Sequence, residues 1–188
     1  MGQKAITIYT PEGTAAHIAA EDDAFIHRCM LGAESGILDA LSCVKVDDNT
    51  VRLSGGGVSN CGYILWIPDG ETVELAVDSG TAGYNRTDTV AAVFTKGGGE
   101  VADTHAFAVL KGTPATGTPS APTLSTSALL SQGSVNQVAL FHVRITGSEI
   151  ASISRVAPVL PSGASNLPGI YVQQSAPSSP YEGDLWLW

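Results

Sequence analysis

The sequence predicts a mainly β protein: an antiparallel, jelly-roll-like β-sandwich with one N-terminal helix and a Pro/Ser-rich C-terminal tail. Three observations predict it. Apolar residues alternate with a period of two along most of the chain, as in Val73, Leu75 and Val77. Turn signals separate these runs at intervals of about ten residues. Only 14% of residues are charged, and Gly, Ser, Thr and Ala take up the difference, which suits short strands and tight turns better than long salt-bridged helices. The one convincing helix precedes most of the strands, so the βαβ alternation of a parallel sheet is missing.

Each element has its own local reason. Residues 4 to 9 alternate, with Ile6 and Ile8 on one face, and Thr10-Pro11-Glu12-Gly13 breaks that first strand. Residues 15 to 31 read as the helix. Phe25, Cys29 and Met30 recur at helical spacing, acids (Glu21, Asp22, Asp23) sit near its start, His27 and Arg28 near its end, and Gly32 stops it. From Leu38 the period becomes two. Leu41, Cys43, Val44 and Val46 form a strand, Asp47-Asp48-Asn49 turns it, and Thr50 to Ser54 returns. Gly55-Gly56-Gly57 is a loop or bulge. Tyr63 to Ile67 is an apolar strand ended by Pro68-Asp69-Gly70, and Thr72 to Val77 alternates again. Residues 88 to 95, His105 to Lys111 and Gln137 to Ile145 are further strands, the last with Leu140, His142 and Arg144 on one side and Phe141, Val143 and Ile145 on the other. Residues 112 to 123 form a surface loop, and Ile150 to Val159 is less regular. The organisation is therefore a strand and helix over 1–35, a sandwich over 36–159 and a tail over 160–188. The tail carries Pro161, Pro168, Pro177 and Pro180 and ends in an extended aromatic segment, where Trp186 and Trp188 share one face. Indoles seldom face water without reason, so these two are the candidate interface residues.

Composition excludes several functions. A net charge of −9 opposes binding to nucleic acid or to an anionic membrane surface, and no basic cluster overrides it. No apolar run is long enough to span a membrane, and the alternating N-terminus does not read as a signal peptide. Three cysteines (Cys29, Cys43, Cys61) without a CxxC spacing read as small buried hydrophobes in a reducing cytoplasm.

Specific residues then add a resemblance. Gly83-Tyr84-Asn85-Arg86-Thr87-Asp88-Thr89-Val90 resembles the N-R-x-D-x-V signature of bacteriophage tail structural proteins, where it opens a strand of a baseplate or tail-fibre β-sandwich. Ala106 to Leu110, the Pro119- and Pro122-spaced loop and the strand around Leu140 to Val143 are similar to later parts of the same family. Ser175-Ala176-Pro177 to Trp186 resembles the A-P-x-x-P-x-x-G-D-L-W phrase of phage tail and fibre proteins. The resemblance runs best from about Gly83 to Val156. It implies a virion tail component, made in the host bacterial cytoplasm, that assembles with itself, a trimer being favoured, and with other tail proteins. Fibre proteins usually continue past this phrase into a shaft or receptor-binding head, so the resemblance leaves direct receptor contact by this chain open.

Within the signature, Asn85, Arg86 and Asp88 read as fold-setting. Arg86 and Asp88 are two apart in a strand, share a face and can pair. No catalytic residue, cofactor or metal site is expected. His17, His27, His105 and His142 lack ligand spacing, and the Gly triplets at 55–57 and 97–99 precede no helix and carry no Lys-Ser/Thr. Glu21, Asp22 and Asp23 read as a solvated helix start. The leading alternative is a carbohydrate-binding module that contacts host-cell glycans through Tyr63, Trp66 and Tyr84. A glycan hydrolase would need two facing carboxylates, and the acids here are scattered.

Overall fold

A computed structural model describes residues 19–32, 35–98, 101–130, 133–160, 170–172 and 185–187. The strand expected over 4 to 9, the helical turn before residue 19, His17 and Trp188 lie outside the described residues. Among the described residues the fold is mainly β, with mostly antiparallel sheets and one helix ahead of them.

Helix α1 spans Ala20–Leu31. Its start is fixed by Asp22, whose carboxylate accepts the N–H of Ala19 at 2.7 Å while its own N–H donates to the Ala19 carbonyl at 2.9 Å. This capping draws Asp22 out of water to 7% exposure, so the acidic start is not wholly solvated. The apolar spacing of Phe25, Cys29 and Met30 does not face the sandwich. Phe25 is 52% and Met30 62% exposed, and Cys29 is exposed as well rather than buried. The helix docks through Ala24 instead, because its backbone must approach Gly62 closely. A Cβ on Gly62 would lie 2.0 Å from the Ala24 carbonyl oxygen. His27 Nδ1 to the Gly62 carbonyl (3.0 Å) and the Glu21–Lys96 ion pair (2.8 Å) complete the contact.

The strands are β1 (Gly36–Leu38), β2 (Ser42–Asp47), β3 (Thr50–Ser54), β4 (Gly57–Asn60), β5 (Tyr63–Trp66), β6 (Thr72–Ala76), β7 (Asn85–Thr95), β8 (Thr104–Leu110), β9 (Val135–Thr146), β10 (Glu149–Arg155), β11 (Ile170–Val172) and β12 (Leu185–Leu187). They form a four-stranded sheet, β10-β9-β7-β8, and two three-stranded sheets, β2-β3-β6 and β1-β4-β5. A short parallel pair, β11 with β12, sets Tyr171 opposite Trp186. β4 was not expected from the sequence: Gly57, Val58, Ser59 and Asn60 lack alternation because all four are buried.

The core lies between the large sheet and the two small ones. Val51 and Leu53 of β3, Ile37 of β1 and Val58 of β4 meet Val90, Val143 and Ile145 of the large sheet, all at 0–2% exposure. On β9 the alternation breaks once. Val90 faces Phe141 and Ala91 faces Ala139, so Leu140 is an extra residue. The bulge turns Leu140 inward at 0% exposure, where its carbonyl accepts the N–H groups of Val156 and Ala157. His142 and Arg144 stay on the outer face. The sandwich is closed at its ends by Ile37, which bridges Val159 in parallel. Its N–H donates to the Pro158 carbonyl (2.9 Å) and its carbonyl accepts from Leu160 (2.8 Å).

Gly62→Ala is expected to destabilise the fold by about 2 kcal/mol or more, since φ is +95° and the added methyl meets Ala24 backbone. Urea unfolding measures the loss, and hydrogen exchange should show α1 opening first.

Candidate binding site

The residues of the signature converge at one end of the large sheet. Arg86 and Asp88 point inward from β7, at 3% and 0% exposure, and pair side-on: Nε to Oδ1 at 2.8 Å and Nη2 to Oδ2 at 3.0 Å. Two of the remaining guanidinium donors are taken by backbone carbonyls, Nη2 donating to Asp78 and Nη1 to Ser79. The Asp88 carboxylate also accepts the N–H of Gly112 at 2.8 Å. Residue 112 must be glycine for that approach, because a Cβ there would lie 2.1 Å from the Thr87 carbonyl oxygen. Asn85 exchanges backbone hydrogen bonds with Ala115 (2.7 and 2.8 Å), and its side chain donates to the Gly117 carbonyl at 3.1 Å. Nearby, Lys111 pairs with Asp78 at 2.7 Å and holds that carboxyl below its usual range. The three residues thus bind two loops, 78–79 and 112–117, to the start of β7.

The second loop leads directly to a pocket. After Gly117 the chain crosses the outer face of the large sheet, and Pro119 and Ala121 form a wall over Thr87 of β7, His142 and Arg144 of β9, and Ser152 and Ser154 of β10. The volume is about 320 Å³. Register explains the lining. Thr87 is opposite Arg144 and Arg144 is opposite Ser152, while Ser154 is opposite His142. Two polar rows therefore cross adjacent strands on one face. Thr89, opposite His142, is buried with its hydroxyl unpartnered among the described residues. In the sequence, Arg144 reads only as a strand residue, and His142 as a strand residue without metal-ligand spacing. The missed signal was their outward pairing with two serines on a strand read as irregular.

The proposed glycan-contact residues do not come together. Tyr63 is 7% exposed and stacks on Phe94 with centroids 4.2 Å apart, so it presents no face to a ligand. Trp66 is 63% exposed on the other side of β5, and Tyr84 is exposed at the turn before β7. Tyr84 and Phe94, beside Tyr63, stand at opposite ends of β7, roughly 30 Å apart at the rise of a strand. Of the two candidate interface residues, Trp186 lies in β12 and Trp188 outside the described residues. Among the described residues, no group of histidines, cysteines and carboxylates is placed to hold a metal ion.

A second buried cluster surrounds Phe94: Tyr63, Leu129, Ala24 and the edge of His105, with Phe94 and His105 centroids 5.4 Å apart. Above it, Asn60 of β4 and Asn136 of β9 tie the facing sheets, Asn60 donating to the Asn136 carbonyl (3.1 Å) and Asn136 to Asn60 Oδ1 (2.6 Å). Burial pushes the Tyr63 hydroxyl up to about 12, and the charges of Glu21 and Asp103 act in the same direction. Burial likewise pushes His105 down to about 4, against the opposing effect of a hydrogen bond to the Ile64 backbone.

The chain matches no family model and no curated protein.

Asp88→Ala is expected to cost about 3–5 kcal/mol, because it leaves the Arg86 guanidinium buried without its carboxylate. Replacing both partners by apolar residues should cost less than the two single losses combined, which a double-mutant cycle in urea measures. His105 titrates lower folded than unfolded, so the unfolded chain binds more protons between about 6.5 and about 4, and stability falls as pH drops through that window. Thermal unfolding of His105→Gln should be flatter over the same range than that of the wild-type chain.

Proposed function

We propose that this chain is a non-enzymatic structural subunit of a bacteriophage tail, in the baseplate, tail tip or fibre attachment. It acts by assembling with copies of itself, as a trimer, and with other tail proteins of the virion, after synthesis in the host bacterial cytoplasm. One observation carries the reading: large apolar side chains are left outside the core on adjoining elements. Phe25, Ile26 and Met30 are exposed on α1, and α1 lies against β5, where Ile64 and Trp66 are exposed too. Exposed apolar groups grouped in this way mark association surfaces. With 14% charged residues the chain has few charges to keep such a surface solvated. The N-R-x-D signature and the A-P-x-x-P-x-x-G-D-L-W phrase support the same reading.

Sedimentation equilibrium of the full chain should give three times the chain mass. Phe25→Ser combined with Met30→Ser should shift it toward the monomer with an unchanged β spectrum in circular dichroism. A wild-type chain that stays monomeric at high concentration would remove the self-assembly half of the proposal.

A further inference from the structure

We infer that the pocket on the outer face of the large sheet binds an acidic sugar, its carboxylate on Arg144 and its hydroxyls on Thr87, Ser152 and Ser154. Four observations lead there. First, Arg144 is a cation without an ionic partner. Lys45, Arg52, Arg86, Lys96 and Lys111 each pair with a carboxylate, whereas Arg144, like Arg28 and Arg155, pairs with none among the described residues, and of these three it is the one that lines this pocket. No carboxylate among the described residues lines the pocket, so they leave the overall negative charge of the chain locally absent. A guanidinium is a planar fork of donors that fits a carboxylate side-on.

Second, the groups flanking Arg144 are hydroxyls. The register places Thr87 on one side and Ser152 on the other, about one strand spacing away each. Each hydroxyl both donates and accepts, which is what a polyhydroxylated ring needs and what a simple anion does not. Third, the wall opposite is apolar and rigid. Pro119 is buried and, with Ala121, offers a small C–H surface to the face of a sugar ring. Fourth, a volume of about 320 Å³ is of the size that holds a small organic ligand and is far larger than one carboxylate or phosphate group needs.

The wall is held in place without contribution from a ligand, because Asn85 and Asp88 fix the segment from Gly112 to Gly117 that carries it. The site is therefore pre-formed. It does not depend on self-assembly, so its failure and the failure of the assembly proposal are separate results.

The test is calorimetric titration of the full chain with glucuronate, glucose and inorganic phosphate. Glucuronate should bind saturably, with glucose and phosphate each at least about tenfold weaker. Arg144→Ala should weaken glucuronate about tenfold or more, and Arg144→Lys should recover only part of it, because an ammonium cannot engage a carboxylate side-on. Ser152→Ala should weaken it a few-fold. Arg144 is exposed, so these variants should keep the unfolding midpoint of the wild-type chain. Amide chemical shifts perturbed by glucuronate should cluster on β7, β9 and β10. Absence of saturable glucuronate binding, an affinity indifferent to Arg144→Ala, or phosphate binding as tightly as glucuronate would each overturn the inference.

Discussion

A buried charge must be answered where it sits, and the Arg86–Asp88 pair is answered from three directions. The pair itself supplies two charge-assisted hydrogen bonds, and carbonyls of residues 78 and 79 take two more arginine donors. Gly112 supplies a donor to the carboxylate. An ion pair of this depth contributes little net stability over an apolar substitute, since desolvation offsets the attraction. What it confers is position. Neither loop has apolar side chains enough to locate itself, and both are located by where their backbone meets this pair. Through the Gly112 loop, the pair also decides where Pro119 lies over Arg144.

The same division between holding and presenting recurs at the helix. α1 uses its smallest residue for docking and leaves its largest ones outside. Close backbone approach at Gly62 requires this, since a Phe or Met at position 24 would hold the helix away from β5. Selection of the small face leaves the large face for another surface.

Much of the fold was legible because most strands are half-buried. The β2–β3 hairpin, with its Asp47-Asp48-Asn49 turn, and the long strands β7, β8 and β9 announce themselves by alternation or by composition. β4 did not, because both of its faces are covered and its small residues carry no period. The bulge at Leu140 was hidden for a related reason: an extra residue in a strand looks regular until its partner is known. The helix was located correctly near its end, yet its spacing pointed to the wrong face, since helical periodicity reports a stripe and not what the stripe meets. The Arg86–Asp88 proximity could be read from a two-residue spacing. The pocket could not, because it joins three strands and a loop whose registers only the folded chain defines.

One remaining feature bears on how such a domain would carry a pull. The chain enters the sandwich at Gly36 and leaves it at Leu160, and these points are neighbours joined by the two hydrogen bonds of Ile37. The two segments run parallel, so traction applied through the flanking chain draws them past each other lengthwise. Both bonds are then strained together rather than opened in turn. Once α1 has come away from Gly62 and Lys96, the closure therefore acts as a shear clamp that resists tension ahead of the core packing.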